Sequence, residues 1–129
     1  MGRRGLLIAA ALGVIAVNVI VFASFLPDPA PPPNASPAER QYFLRCVSCH
    51  GARGSGSWRA TVFLIRPGNL ADGGRMAKLP DQYLFDIIKH GGATIGKPGM
   101  PGFGFHLSDG EIRELVAYVR SLSASRTSP

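Results

Sequence analysis

The sequence predicts a small all-α domain with long irregular loops, set behind one N-terminal apolar helix. Two features mark the helices of the domain. Ser36-Pro37-Ala38-Glu39 and Ser108-Asp109-Gly110-Glu111 each place serine three residues before glutamate, the spacing of a reciprocal helix cap, and in the second the following apolar residues recur at helical intervals. The third feature is the apolar run itself, which precedes everything else.

Residues 6–26 carry no charge, with Asn18 and Ser24 as the polar side chains. A helix of that length spans about 31 Å, near the roughly 30 Å of a bilayer's hydrocarbon core. The alternative is a cleaved secretory signal, for which Val21-Phe22-Ala23 is a tolerable processing site. However, the run outlasts a signal's apolar region of about 7–15 residues and continues through Phe25 and Leu26. Residues 1–26 are therefore read as an uncleaved signal-anchor. Arg3 and Arg4 hold its N-terminus in the cytoplasm, so the rest of the chain lies on the extracytoplasmic side, the periplasm in a bacterium.

Pro27 to Pro37 holds six prolines in eleven residues. Such a stretch favours extended polyproline II and reaches at most about 30–35 Å. Residues 27–35 are read as a semi-rigid linker, 36–123 as the domain and 124–129 as a tail.

Within the domain, Pro37 occupies the first helical position after the Ser36 cap, so a helix starts there. Ala38, Tyr42 and Cys46 recur every four residues along it. It runs into Cys46-Val47-Ser48-Cys49-His50, the C-x-x-C-H signature of c-type haem attachment. In that reading the two thiols add to the haem vinyl groups and the histidine becomes the proximal iron ligand. Structural zinc needs four ligands, and no second cysteine pair exists. A thioredoxin-like pair belongs near a β-α-β pattern, which the surroundings lack.

Residues 51–74 are glycine-rich and read as an irregular loop, with the apolar run 61–65 too short to assign. A helix follows over residues 80–90, its apolar face formed by Tyr83, Leu84, Ile87 and Ile88, and Gly91-Gly92 stops it. Residues 97–105 are kept irregular by proline and glycine and contain Met100. The last helix runs to about residue 122 with Ile112, Leu115, Val116, Val119 and Leu122 as its stripe and Tyr118 at the edge.

The formal charge is +6, and without Arg3 and Arg4 it is +4. Arg53, Arg59, Arg66, Arg75, Lys78 and Lys97 fall in the loops expected around the bound group, a basic rim suited to a redox partner with an acidic docking surface. A merely solvated basic face is the equal alternative. No aromatic-basic pattern organises these charges for nucleic acid.

The C-x-x-C-H, the late Met-Pro and the final Leu-Ser-x-x-Glu-Ile-x-x-Leu-x-x-Tyr-Val helix, in that order, resemble the class I cytochromes c over residues 36–122. The resemblance implies a covalent haem c on Cys46 and Cys49, with His50 and Met100 as iron ligands. Leu70 is implied as the haem-packing leucine, and Phe103, Leu79 and Ile95 are candidate walls beside it, with core packing as the equal alternative for each of the four. Tyr42 and Tyr118 would pack at the crossing of the first and last helices of the domain. The family commonly has proline two residues before that leucine, its carbonyl accepting from the proximal imidazole; here Gly68 stands there, and Pro67 or a neighbour is left as the acceptor. Met76, His90 and His106 are the other sixth-ligand candidates. The implied function is one-electron transfer between membrane complexes of a respiratory or photosynthetic chain, without catalysis of its own. The alternatives are a dedicated subunit of a membrane oxidoreductase, and a haem enzyme or gas sensor with an open distal site.

Overall fold

The computed structural model describes residues 2–63 and 65–124, and every regular element among them is helical. Met1 of the expected anchor, Leu64 of the apolar run and residues 125–129 of the expected tail lie outside the described residues.

Helix α1, Arg3–Ser24, buries no residue, and its leucines, isoleucines and valines face outward on every side. It is long and apolar enough to cross a membrane. A helix apolar all round has no polar face to turn to water, a property shared by a membrane anchor and a signal peptide.

Helix α2, Pro37–Arg45, begins where the cap predicts, with the Ser36 hydroxyl accepting from the Glu39 N–H at 3.2 Å. The reciprocal half of that cap is absent: the Glu39 carboxylate instead accepts from the Tyr118 hydroxyl at 3.2 Å. The helix does not run through the cysteine motif. It ends at Cys46, which has left ideal helical geometry (φ −115°), and one further turn, α3, Val47–His50, follows.

The region expected to be irregular contains two single-turn helices, α4, Trp58–Val62, and α5, Gly73–Met76. Both are specified by caps rather than by apolar periodicity. Ser57 accepts from the Arg59 N–H at 3.2 Å and Asp72 from the Arg75 N–H at 3.0 Å. Helix α6, Asp81–His90, buries Leu84, Phe85 and Ile88. Phe85 was not on the expected apolar face; it is covered by the Lys89 and Arg113 side chains, which stack on its ring.

Helix α7, Asp109–Ala124, has the expected stripe, with Ile112 and Leu115 wholly buried. Its cap is complete: the Ser108 N–H and hydroxyl both donate to Glu111, and the Glu111 N–H returns a bond to the Ser108 hydroxyl oxygen. Helices α2, α5 and α6 all pack on α7, while α3 joins α2 to α4. At the α2–α7 crossing the Tyr42 and Tyr118 rings lie 5.2 Å apart, tilted by 55°. The buried Tyr42 hydroxyl donates to the Gly51 carbonyl at 2.7 Å, so the ring enters the core with its polar atom satisfied.

Candidate haem-binding site

One cavity of about 470 Å³ opens between α3, α5, α6, α7 and the two long loops. Its size lies within the range of roughly 300–1,000 Å³ usual for cofactor sites. Cys46, Cys49 and His50 contribute to one part of its lining, and Pro67, Leu70, Met100 and Phe103 also border it. Every residue expected at the site is thus brought to a single cavity.

The cysteine turn is fixed from both sides. The His50 and Cys49 N–H groups bond the Cys46 carbonyl at 2.8 and 3.2 Å, and the Gly56 N–H bonds the His50 carbonyl at 2.7 Å. Burial pushes the Cys46 thiol up to about 12, so the free side chain is held in its protonated form. The two cysteines form no disulfide. Among the described residues no group of three or more His, Cys, Asp or Glu could hold a metal ion, which leaves the zinc alternative without a ligand set.

The His50 Nδ1 atom lies 3.2 Å from the Gly68 carbonyl oxygen. Burial lowers the His50 pKa, and that bond opposes the shift. Burial therefore favours the neutral imidazole, and with Nδ1–H donating to the carbonyl, Nε2 carries the free lone pair. The acceptor expected from Pro67 or a neighbour is Gly68; Pro67 lines the cavity without accepting this bond. The bond needs only a backbone carbonyl, so the missing proline at 68 removes nothing from it.

Met100 is positioned by glycines. Gly91 ends α6 at φ +85°, and a Cβ there would stand 2.8 Å from the Met100 carbonyl and the Gly102 N. The Gly92 N–H bonds the Met100 carbonyl at 2.9 Å, and the Phe103 N–H bonds the Ile88 carbonyl at 2.9 Å. Residues 97–104 are thereby laid against the end of α6, with the Met100 side chain at the cavity.

The rival ligands separate by position. His90 and His106 are exposed and border no part of the cavity. Met76 does border it, but is 1% exposed and belongs to the apolar core. Arg120 anchors the turn that carries it, donating to the Met76 and Leu79 carbonyls and pairing with Asp81 at 2.8 Å.

Residues 33–119 match the family described as cytochrome c oxidase, cbb3-type, subunit III. The chain belongs to this family of class I c-type cytochromes. A solved structure described as the KustC0563 c-type cytochrome is similar at 25% identity, covering 66% of this chain and 95% of that one with a TM-score of 0.56. No curated protein matches the chain. Membership implies haem c and haem-based electron transfer.

The cavity of this cytochrome suits that group chemically, being largely apolar with two thiols, an imidazole and two thioethers on its walls. Two features of the site were not evident in the sequence. Tyr83, Leu84, Ile87 and Ile88 all border the cavity, and Leu84 and Ile88 are at the same time buried in the core with Phe85, so α6 serves both at once. Arg45 borders the cavity from α2, where no loop position would suggest it. Of the expected basic rim, Arg66, Arg75 and Lys97 border the cavity, whereas Arg53 and Lys78 do not. Arg59 leaves the rim altogether, its charge being paired with Asp28 of the linker at 2.9 Å.

Proposed function

We propose that this cytochrome is a one-electron carrier anchored to the membrane by α1, with its haem domain on the extracytoplasmic face. Cys46 and Cys49 would hold a single haem as thioethers, with His50 and Met100 as the residues that would ligate its iron. When bound, the group supplies the ferric-ferrous couple, and thioether ligation raises its potential relative to bis-histidine ligation. The chain's own part is to keep both ligands in place in either oxidation state. Gly68 orients the His50 ring, and the bonds from Gly92 and Phe103 hold the Met100 loop. The apolar side chains of Leu70, Leu79, Ile95 and Phe103 on the cavity walls would limit the access of water to the group. With His50 and Met100 both engaged by the iron, no position would be left on it for substrate, which favours electron transfer over catalysis.

The observation that carries this reading is the gathering of Cys46, Cys49, His50 and Met100 on one cavity of haem-compatible size. Arg45, Arg66, Arg75 and Lys97 around it suit an acidic docking surface on the redox partner. The family description names an oxidase subunit, and this supports a dedicated subunit of a membrane oxidoreductase over a freely shuttling carrier.

Intact-mass analysis of the purified chain tests the attachment. The mass of one haem is expected to remain under denaturing conditions and to be lost in a Cys46→Ala, Cys49→Ala double variant. A wild-type chain at its bare polypeptide mass would overturn the reading. Copurification of other redox chains after mild detergent extraction would distinguish subunit from shuttle.

A further inference from the structure

Helix α4 joins the domain to the end of α1. The Arg59 guanidinium donates to the Leu26 carbonyl and, at 3.4 Å, to the Ala23 carbonyl, and pairs with Asp28 at 2.9 Å. Ala23 lies in the last turn of α1, whose carbonyls carry partial negative charge, and Leu26 follows just past the helix end, so a guanidinium is favoured there. At the other end of the linker the Arg40 Nε donates to the Ala35 carbonyl at 3.0 Å, and Ala35 is buried. The spacer expected over residues 27–35 is therefore pinned at both ends.

Around this clamp the surface is apolar. Ala60 is the residue α4 buries. Trp58 and Val62, four apart and on one helix face, are 49% and 43% exposed, and Phe63 beyond them is 63% exposed. Phe25 at the end of α1 is 83% exposed. Tryptophan and phenylalanine side chains of this kind are at home at the level of lipid headgroups, where an apolar ring meets a wet boundary. A helix spanning the bilayer ends at that level, and Arg59 holds α4 within hydrogen-bond reach of the end.

We propose that Trp58, Val62 and Phe63 sit in the membrane interface beside α1, with Arg59 as the clamp, so that the haem domain keeps a fixed attitude to the bilayer. The occupant of this face is lipid, because the face is continuous with the end of the membrane helix. This rests on α1 being a retained anchor.

The test is photolabelling of the full-length holoprotein in nanodiscs containing a phospholipid with a diazirine near its headgroup, followed by peptide mapping. Adducts are expected on the α1 peptides and on residues 58–63. In Arg59→Ala the adducts on 58–63 should fall several-fold while those on α1 persist, and Asp28→Asn should give a smaller fall; an unchanged haem absorbance confirms folding of each. Labelled α1 with unlabelled 58–63 would overturn the proposal and leave the anchor standing. A purified chain that begins beyond α1, or an unlabelled α1, would overturn both.

Discussion

The His50 Nδ1 atom and the Gly68 carbonyl oxygen, eighteen residues apart, lie 3.2 Å from one another across the cysteine-side loop. The relationship leaves Nε2 as the ring nitrogen with the free lone pair, and it does so through a backbone carbonyl alone. A Cβ at residue 68 would meet the Arg75 guanidinium at 3.5 Å, an ordinary contact. Gly68→Ala should therefore leave the haem spectrum and the reduction potential close to wild type, as read by a spectroelectrochemical titration. A large fall in potential would mean that the loop, and not the carbonyl, sets the ring.

Met100 and Met76 should separate in their effects. Met100→Ala is expected to lower the potential and to open the reduced iron to carbon monoxide, because a wall of the cavity that offers sulfur is removed. Met76→Ala should keep both properties and cost about 2–5 kcal/mol of stability in denaturant unfolding, the usual range for emptying a buried methionine site. The opposite pattern would exchange their roles.

Gly91 tests how Met100 is held. Its φ of +85° and the 2.8 Å that a Cβ would leave to the Met100 carbonyl make Gly91→Ala strained and crowded together. The cost of the backbone conformation is on the order of 1–3 kcal/mol. The crowding falls on the methionine loop, so carbon monoxide should compete for the iron more readily than in the wild type, measured by titration of the reduced protein.

Acid should loosen the start of α7. The hydrogen bond from Lys89 holds the Asp109 carboxyl below its ordinary value, and the bonds from the Ser108 N–H and hydroxyl do the same for Glu111. A carboxyl whose folded pKa lies below its unfolded one contributes stability above the unfolded value and loses it as the pH falls through the folded value. The denaturation midpoint should therefore drop as the pH is lowered below about 4. In Glu111→Gln the amide no longer titrates, and the drop between pH 7 and pH 3 should be shallower than in the wild type.

The sequence exposed those parts of the molecule that depend on local chemistry. The Ser36 and Ser108 caps, the α7 stripe and the C-x-x-C-H turn are written in residues close in the chain, and each lies where its pattern puts it. Helices α4 and α5 were hidden because one turn has no periodicity to reveal; a single serine or aspartate cap specifies each. The second half of the Ser36 cap was misleading for a different reason. Glu39 is drawn to Tyr118, seventy-nine residues on, and only the helix crossing shows that the tyrosine hydroxyl competes for it. The same holds for Arg59 of α4, whose partner Asp28 lies in the linker, and for the acceptor of His50, which is a backbone atom and leaves no side-chain signature.

The measurement that bears most directly on the proposed His50–Met100 haem centre is the optical spectrum of the membrane-extracted protein, oxidised and then reduced, with carbon monoxide added to the reduced form. A weak long-wavelength band of ferric methionine-sulfur ligation, together with no change on adding carbon monoxide, is the expected result. Absence of that band with ready carbon monoxide binding would contradict a closed electron carrier and show an open distal site.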